Sequence, residues 1–310
     1  MRLAARVFFV LAPCSIVGSV LGMDGTMERK EFGAIVPLEP CPVCGMSKVT
    51  GRHYLMDGHR VDECICGHWY LSNRPTEAEM MRIYASDEYF EGQGDGYVSY
   101  DAQEATLRAT FRRFLRDLAG RGVKGGSILE IGCGYGYFLD EAGQMFEKRA
   151  GTDFSAAAVA RARELTGADI RQGGVEAFEE RPEFDLGVAI EVLEHVYRPT
   201  HFLATLRKRI RPGGHVFIVV PNAGSLWRRV MGQAWPSWKL PEHISHFTPT
   251  SLTRTLKRAG FIRPQRIAGS HAYPAGLIAS KLGVSLSDSL GSRPIWLPGV
   301  VIGMLAKKPE

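Results

Sequence analysis

The chain lacks an apolar run of bilayer-spanning length. The N-terminal run from Val7 to Gly22 is about 16 residues and Pro13 interrupts it, short of the ~20 residues that a spanning helix needs. It also lacks a block of one charge. The formal net charge is +5 over 310 residues, and the cations are scattered, as in Arg112, Arg113 and Arg116 or Arg207, Lys208 and Arg209. That distribution fits solvated helix faces and disfavours a nucleic-acid footprint, leaving a mild attraction to anionic substrates. A disulfide framework is missing as well. Of six cysteines, Cys14 sits in the apolar run and Cys133 in a glycine-rich turn, while the other four cluster as Cys41-x-x-Cys44 and Cys64-x-Cys66. Such clustering points to metal ligation. With 45% hydrophobic and 23% charged residues, the composition is that of a globular enzyme and excludes a disordered or fibrous chain. The length suits one large domain or two modest ones.

A glycine is missing where a dinucleotide-binding fingerprint would require one. After the apolar run Ile128-Leu-Glu-Ile131 come Gly132, Gly134 and Gly136, but position 137 is tyrosine, so G-x-G-x-x-G is not completed. What stands there is strand, glycine turn and helix, with helical apolar spacing through Phe138, Leu139 and Ala142. The glycines permit a tight turn and close approach to a ligand, and the helix start offers free N–H groups. The motif Glu130-Ile-Gly-Cys-Gly-Tyr-Gly136 resembles the glycine loop of the class I S-adenosylmethionine (SAM) methyltransferases. The resemblance implies a loop that packs beside the methionine part of SAM and an acid, Glu130, that meets its ammonium.

The N-terminal segment, residues 1–26, admits three readings. Arg2 and Arg6 before the apolar run outline a secretory signal; translation starting at Met23 or Met27, or an apolar helix docked on the protein, fit equally. Export would separate the enzyme from SAM, so a cytoplasmic enzyme is expected. Residues 27–75 hold the two cysteine pairs, which supply four thiolates for tetrahedral Zn2+ in a module too small to bury much core. This stretch resembles the zinc ribbon that precedes bacterial small-molecule methyltransferases. There the second knuckle is C-x-x-C, whereas Glu63 stands at its first position here. The fourth ligand is therefore open among Cys64, Glu63, His59 and His68. Residues 76–125 read as a helical connector with a capped start at Thr76 and, in the resembled family, a lid over SAM carrying Tyr89 and Tyr97; surface anchoring of that loop is the alternative.

From 127 onward strands and helices alternate, which predicts an α/β, Rossmann-like, doubly wound sheet across 126–310. Arg149–Asp153 forms the second strand. Asp153 ends it where a carboxylate accepts both ribose hydroxyls, with Phe154 beside it. Asp169–Gly174 is the third strand and its loop. No Asp follows Gly174, so Val175, Glu176 or backbone groups are the expected adenine contacts. Phe184–Ile190 is the fourth strand and delivers Glu191, a cofactor-side candidate, and Glu194-His195. After a helix and the turn Arg211-Pro-Gly-Gly214, His215–Asn222 is the fifth. Residues 223–247 form a tryptophan- and proline-rich insertion over the substrate side, ending at His243 and His246. Ile262–Ile267 and Val300–Leu305 close the sheet. The resembled family implies seven strands with the last antiparallel.

Methyl transfer from a sulfonium asks the protein to position the acceptor and to remove its proton. His195 is the candidate base. If the chain is helical there, Glu191, Glu194 and His195 share one face. Glu194 then orients His195 as a base, or the three bind a divalent cation such as Mg2+ that lowers the acceptor's pKa. The Glu-x-x-Glu-His pattern resembles the metal site of ubiquinone-pathway O-methyltransferases, and Leu-Glu-His resembles sugar C-methyltransferases. His243 and His246 are further candidates, with loop-fixing hydrogen bonds as their bland role. The expected activity is methyl transfer to a sugar, phenol, quinone or natural-product intermediate. An Asp/Asn-Pro-Pro-aromatic sequence after the fourth strand and a Pro-Cys nucleophile are both absent there, which disfavours base-amine and C5-pyrimidine methylation. The alternatives are an RNA-modifying enzyme with a zinc reader and a non-catalytic SAM-binding interaction protein. The sequence leaves the oligomeric state open.

Overall fold

The structure is a computed structural model and describes residues 40–84, 103–281 and 286–310. The segment 1–26, the first part of the cysteine module and both Tyr89 and Tyr97 lie outside the described residues. Among the described residues, no helix is long and apolar enough to cross a membrane.

The larger sheet has seven strands, built from β4 (Ser127–Ile131), β5 (Lys148–Asp153), β6 (Asp169–Gln172), β7 (Phe184–Ile190), β8 (Ile210–Pro221), β10 (Ile262–Pro274) and β11 (Pro294–Lys307). Their order is β10-β11-β8-β7-β4-β5-β6. Strands β4 to β8 pair in parallel, and β11 runs antiparallel to both β8 and β10. This is the expected doubly wound, Rossmann-like architecture with an antiparallel last strand. The central strands are continuous apolar runs because both faces are covered: every residue of β4 is buried, as are Val216 to Val220 of β8. On one face Phe111, Phe114, Leu115 and Leu118 of α2 (Glu104–Ala119) pack with Phe138 of α3 (Tyr137–Glu141), Leu186 and Phe217. On the other, Leu203 and Leu206 of α5 (Pro199–Arg209) and Leu252 and Leu256 of α7 (Pro249–Arg258) pack on Ile131, Val216, Ile218 and Val220.

Local signals explain the element ends. Ser155 accepts a hydrogen bond from the Ala158 amide and starts α4 (Ala156–Thr166); Thr248 and Ser251 form a reciprocal capping box at α7, with Pro249 at its first turn. Pairing of β7 with β8 skips from Ile210 to His215, so the Arg211–Gly214 turn is accommodated as a bulge at the start of β8. The closing strands are far longer than their apolar cores suggest. β10 and β11 pair from Ile262–Lys307 out to Pro274–Pro294, and α8 (Ala275–Lys281) and α9 (Asp288–Gly291) fill the end of that ribbon.

The smaller sheet contains β1 (Val49–Met56), β2 (His59–Cys64), β3 (Trp69–Leu71) and β9 (Ser245–His246) in that order. A short helix α1 (Glu77–Tyr84) follows β3. β9 comes from the tryptophan-rich insertion, with Trp69 opposite His246 and Tyr70 opposite Ser245. Insertion and cysteine module thus share one sheet and one core, where Val61, Trp69 and Leu71 meet Trp235, Trp238 and Ile244. The other helix of the insertion is α6 (Leu226–Met231).

Candidate active site and cysteine centre

The glycine loop leaves β4 with Gly132, Gly134 and Gly136 all in the left-handed region, at φ 73°, 52° and 84°. A Cβ at Gly132 would lie 2.5 Å from Val192 Cγ2, and one at Gly136 would lie 3.1 and 3.2 Å from Ala162 Cβ and Cα. Glycine is required there by both conformation and space. The loop turns back on β5: the Gly132 and Cys133 amides donate to the Thr152 carbonyl at 2.8 and 2.9 Å. Asp153 accepts from the Gly134 amide at 2.9 Å and from the Ser155 amide at 3.0 Å, one on each carboxylate oxygen. Burial pushes its pKa up, opposed by the amides of Ser155 and Gly134.

Glu130 is only 3% exposed, and its Oε2 has no hydrogen-bond partner. Burial, and then the charge of Asp153, hold its carboxyl well above the usual range. Two buried carboxylates that act on one another, one with an unsatisfied oxygen, are complementary to a cationic ligand. Val175 is buried beside the end of β6, Phe154 is half-exposed, and the Gly174 amide donates to Glu176 Oε1 at 2.9 Å. Burial raises the Cys133 thiol, which makes it an inert packing group.

The second half of the site lies past β7 and departs from the expected geometry. Glu191 is left-handed, at φ 56°, is exposed, and is followed by a 3-10 turn at Leu193–His195. The helical face that would align Glu191, Glu194 and His195 therefore does not form. Instead the ligand atoms of Glu194, His195 and His243 lie within 4.8 Å of one another. Glu191 acts electrostatically on His271 and Tyr273 of β10, adding to the effect of burial in raising the Tyr273 pKa and opposing burial at His271.

The two histidines of the trio are held alike. His195 Nδ1 lies 3.1 Å from the Glu242 carbonyl oxygen and His243 Nδ1 lies 2.9 Å from the Ser237 carbonyl oxygen. A carbonyl accepts only from N–H, so both rings carry the proton on Nδ1 and leave a lone pair on Nε2. Their centroids are 4.6 Å apart with planes at 87°. Burial lowers the His195 pKa to about 4 and holds His243 well below its ordinary value. Both are neutral at pH 7, so both are proton acceptors. Glu194 is 1% exposed and neither of its oxygens finds a hydrogen-bond partner, so the Glu242 carbonyl, not Glu194, fixes the His195 tautomer. Burial and then Glu191 push the Glu194 carboxyl well up. His246 stands one layer back, its ring 4.7 Å from Trp238 and 6.4 Å from His243.

The four cysteines come together. Cys44 and Cys64 sulfurs are 3.4 Å apart and Cys41 and Cys66 sulfurs 3.7 Å apart, near the roughly 3.8 Å edge of a tetrahedron with ~2.3 Å Zn–S bonds. The competitors for the fourth position are engaged elsewhere. Glu63 pairs with Arg52 at 2.7 Å and accepts from Thr50 at 3.0 Å. His68 Nδ1 lies 3.3 Å from Ser251 Oγ, and its ring packs on Phe247 at 4.8 Å. His59 is buried and belongs to no ligand cluster among the described residues. Helix α7 clamps the knuckles: Arg254 donates to the Cys66 carbonyl and Arg258 to the Val43 carbonyl, both at 2.9 Å, and Thr248 to the Gly67 carbonyl at 3.2 Å.

A family profile described as "Methyltransferase domain" matches residues 102–262, more than half of the chain. The chain belongs to this family: it is a class I SAM-dependent methyltransferase, and SAM is its cofactor. Curated relatives agree. A probable SAM-dependent methyltransferase of Mycolicibacterium smegmatis is 26% identical over 190 residues, covering 60% of this chain and 69% of that protein. A ubiquinone biosynthesis O-methyltransferase of Pseudomonas aeruginosa is 35% identical over 165 residues, covering 50% of this chain and 66% of that one. Its counterpart in Nitrosococcus oceani is 31% identical over 180 residues, covering 54% and 74%. The matches thus span about two thirds of the relatives' length.

Proposed function

We propose that the protein transfers the methyl group of SAM to a hydroxyl of a small acceptor of the phenol or sugar kind, with His195 as the general base. The observation that carries this reading is the pair of neutral imidazoles, His243 buried and His195 half-buried, whose Nδ1 protons are tied to backbone carbonyls. Glu130, the glycine loop and Asp153 would hold SAM, with Glu130 toward the ammonium and Asp153 toward the ribose; Phe154 and Val175 flank the adenine. The acceptor hydroxyl gives its proton to Nε2 of His195, its oxygen lone pair forms the new O–CH3 bond, and the S–CH3 bond breaks, its electron pair returning to sulfur. The O-methyltransferase names of the relatives support an oxygen acceptor.

One metal fits the cysteine centre, and a second fits the histidine cluster only as the alternative to the base, because a cation on His195 Nε2 would occupy the lone pair that takes the proton. Cys41, Cys44, Cys64 and Cys66 would hold Zn2+ in a closed four-thiolate site, which supplies folding energy and leaves no open position for chemistry. Glu194, His195 and His243 fit a second cation, because the unsatisfied Glu194 oxygens would gain a partner. Two imidazoles and one carboxylate suit Zn2+, Mn2+ or Fe2+ better than the all-oxygen shell of Mg2+. Bound there, a cation would lower the pKa of an acceptor hydroxyl.

The test is transfer of label from methyl-labelled SAM to a panel of catechols, phenols and sugars, with Mg2+, Mn2+, Zn2+ or chelator. Label in a phenolic product that survives chelator and disappears in His195→Gln supports the base. Transfer by the native protein that vanishes with chelator and returns with added cation moves the role to the cation. No transfer to any hydroxyl compound, with SAM still bound, sinks the oxygen-acceptor reading.

A further inference from the structure

A second cavity, of about 400 Å3, opens where the cysteine module meets the insertion, lined by Arg52, His53, Tyr54, Trp69, Arg228 and Arg229. Three guanidiniums in one pocket need anions, and the described residues supply one. Arg52 is paired with Glu63 at 2.7 Å. Arg228 is only 8% exposed, yet no carboxylate among the described residues pairs with it. Its Nε has no acceptor, its Nη1 reaches the Tyr54 hydroxyl at 3.4 Å, and its guanidinium lies over the Trp69 ring at 4.8 Å. Arg229 is exposed and likewise has no ion-pair partner among the described residues. A buried charge without a counter-charge is costly and is retained where a ligand supplies the counter-charge. The planar guanidinium fork matches phosphate oxygens in pairs.

We propose that this pocket binds a phosphate or diphosphate group. Arg228 is the fixed anchor, locked by Trp69 and Tyr54, and Arg229 is the arm that closes on the ligand. The pocket wall connects through two aromatic rings to His246. Tyr54 packs on Trp238 at 5.1 Å, and Trp238 packs on His246 at 4.7 Å. A phosphorylated acceptor held at the arginines would thus be anchored behind a wall of Tyr54, Trp238 and His246, and its reactive end would have to reach past that wall to the histidine pair. This last step alone rests on the proposed methyl transfer; the anion site stands without it.

The experiment titrates inorganic pyrophosphate into the full-length protein, with S-adenosylhomocysteine saturating the cofactor loop so that the loop cannot bind the probe. Saturable binding is expected. Arg229→Gln should weaken it about tenfold, the loss of one charge-assisted contact, while leaving S-adenosylhomocysteine affinity and the melting temperature unchanged. Arg228→Gln should abolish it; if that packed variant fails to fold, the exposed Arg229→Gln decides alone. Lys257→Gln, an exposed cation on α7, should have no effect. Absence of binding, or equal weakening by Lys257→Gln and Arg229→Gln, overturns the proposal. Uridine diphosphate and vesicles of phosphatidylglycerol in phosphatidylcholine then separate the sources. Binding of the first that is sensitive to Arg229→Gln assigns a soluble nucleotide-linked ligand, and retention on the second with that sensitivity assigns a lipid-borne phosphate.

Discussion

Replacing Cys66 with serine tests the cysteine centre and its coupling to the catalytic side together. Structural zinc contributes ~10–16 kcal/mol in small zinc peptides, so one of four ligands is worth roughly 3 kcal/mol. With 1 kcal/mol shifting Tm by roughly 2–4 °C in a domain of this class, Cys66→Ser should melt about 6–12 °C lower. The consequence reaches beyond the module. The Cys66 carbonyl accepts from Arg254 of α7, and three residues on, Trp69 pairs with His246. Loosening the knuckle therefore loosens the wall behind His243 and His246. Turnover should fall much more than SAM affinity, whose proposed determinants lie on β4 and β5. The assay is zinc content per chain, thermal melting followed by near-ultraviolet circular dichroism, and calorimetric SAM titration. Native protein from zinc-replete medium containing less than a tenth of a zinc atom per chain would refute the reasoning. So would a Cys66→Ser melting curve that overlays the native one.

His195→Gln should slow turnover ~10²–10⁴-fold with SAM affinity unchanged, the usual weight of a general base; full activity in single-turnover kinetics would remove His195 from the proton transfer. Glu130, raised above its ordinary value by burial and by Asp153, carries a proton over a pH window that the cationic cofactor narrows. SAM binding should therefore release a proton, and affinity should climb with pH by up to about tenfold per unit between the bound and free pKa values. Calorimetry in buffers of different ionisation enthalpy reads this directly; identical heats in all buffers, or proton release that survives in Glu130→Gln, would contradict it. Gly136→Ala combines a left-handed φ with a Cβ contact to the α4 backbone and should cost about 2–3 kcal/mol and weaken SAM binding. Gly167→Ala, at φ 62° with nothing within 4 Å, should cost only the ~1–2 kcal/mol of the left-handed conformation. Equal denaturation midpoints for the two variants would show that close packing at Gly136 is unimportant.

The doubly wound sheet was legible because its determinants are local. Ile128–Ile131 and Phe184–Ile190 are apolar throughout, and the caps at Ser155 and Thr248 sit where the helices begin. The long β10–β11 ribbon was not. Residues 271–299 are punctuated by glycine, serine and proline, and their pairing, His271 with Leu297 and Tyr273 with Ile295, is a long-range fact with no periodic trace. Nor does any local pattern reveal that two residues of the insertion, Ser245 and His246, complete the sheet of the cysteine module. Strands that short carry almost no signal of their own and exist only because Trp69 and Tyr70 are there to pair with them.

The candidate residues fall where their places in the chain suggest, but the cluster they form differs from the one that helical spacing predicts. Glycine, Glu130 and Asp153 follow from strand ends, where sequence position fixes spatial position. Glu191, Glu194 and His195 were placed on one face by assuming helical spacing, but the residue after β7 has to leave the sheet. Glu191 does so with φ at 56° and its amide tied to the Val219 carbonyl at 2.8 Å, a conformation that sends the next turn in a different direction. The consequence is a different cluster. Glu191 still acts through its charge on Glu194, as it does on His271 and Tyr273, but the ligand atom grouped with those of Glu194 and His195 is that of His243, 48 positions away from His195. That cluster explains why the Glu242 carbonyl can fix the His195 tautomer: the same insertion that brings His243 also brings Glu242, and the amide of Ile244 closes on the Glu194 carbonyl at 3.0 Å. The pattern Glu-x-x-Glu-His therefore holds two members of the candidate cluster, and the third, His243, comes from a loop that shares a sheet with the cysteine module. A change that unhooks the module should disturb the proton acceptor before it disturbs the cofactor loop.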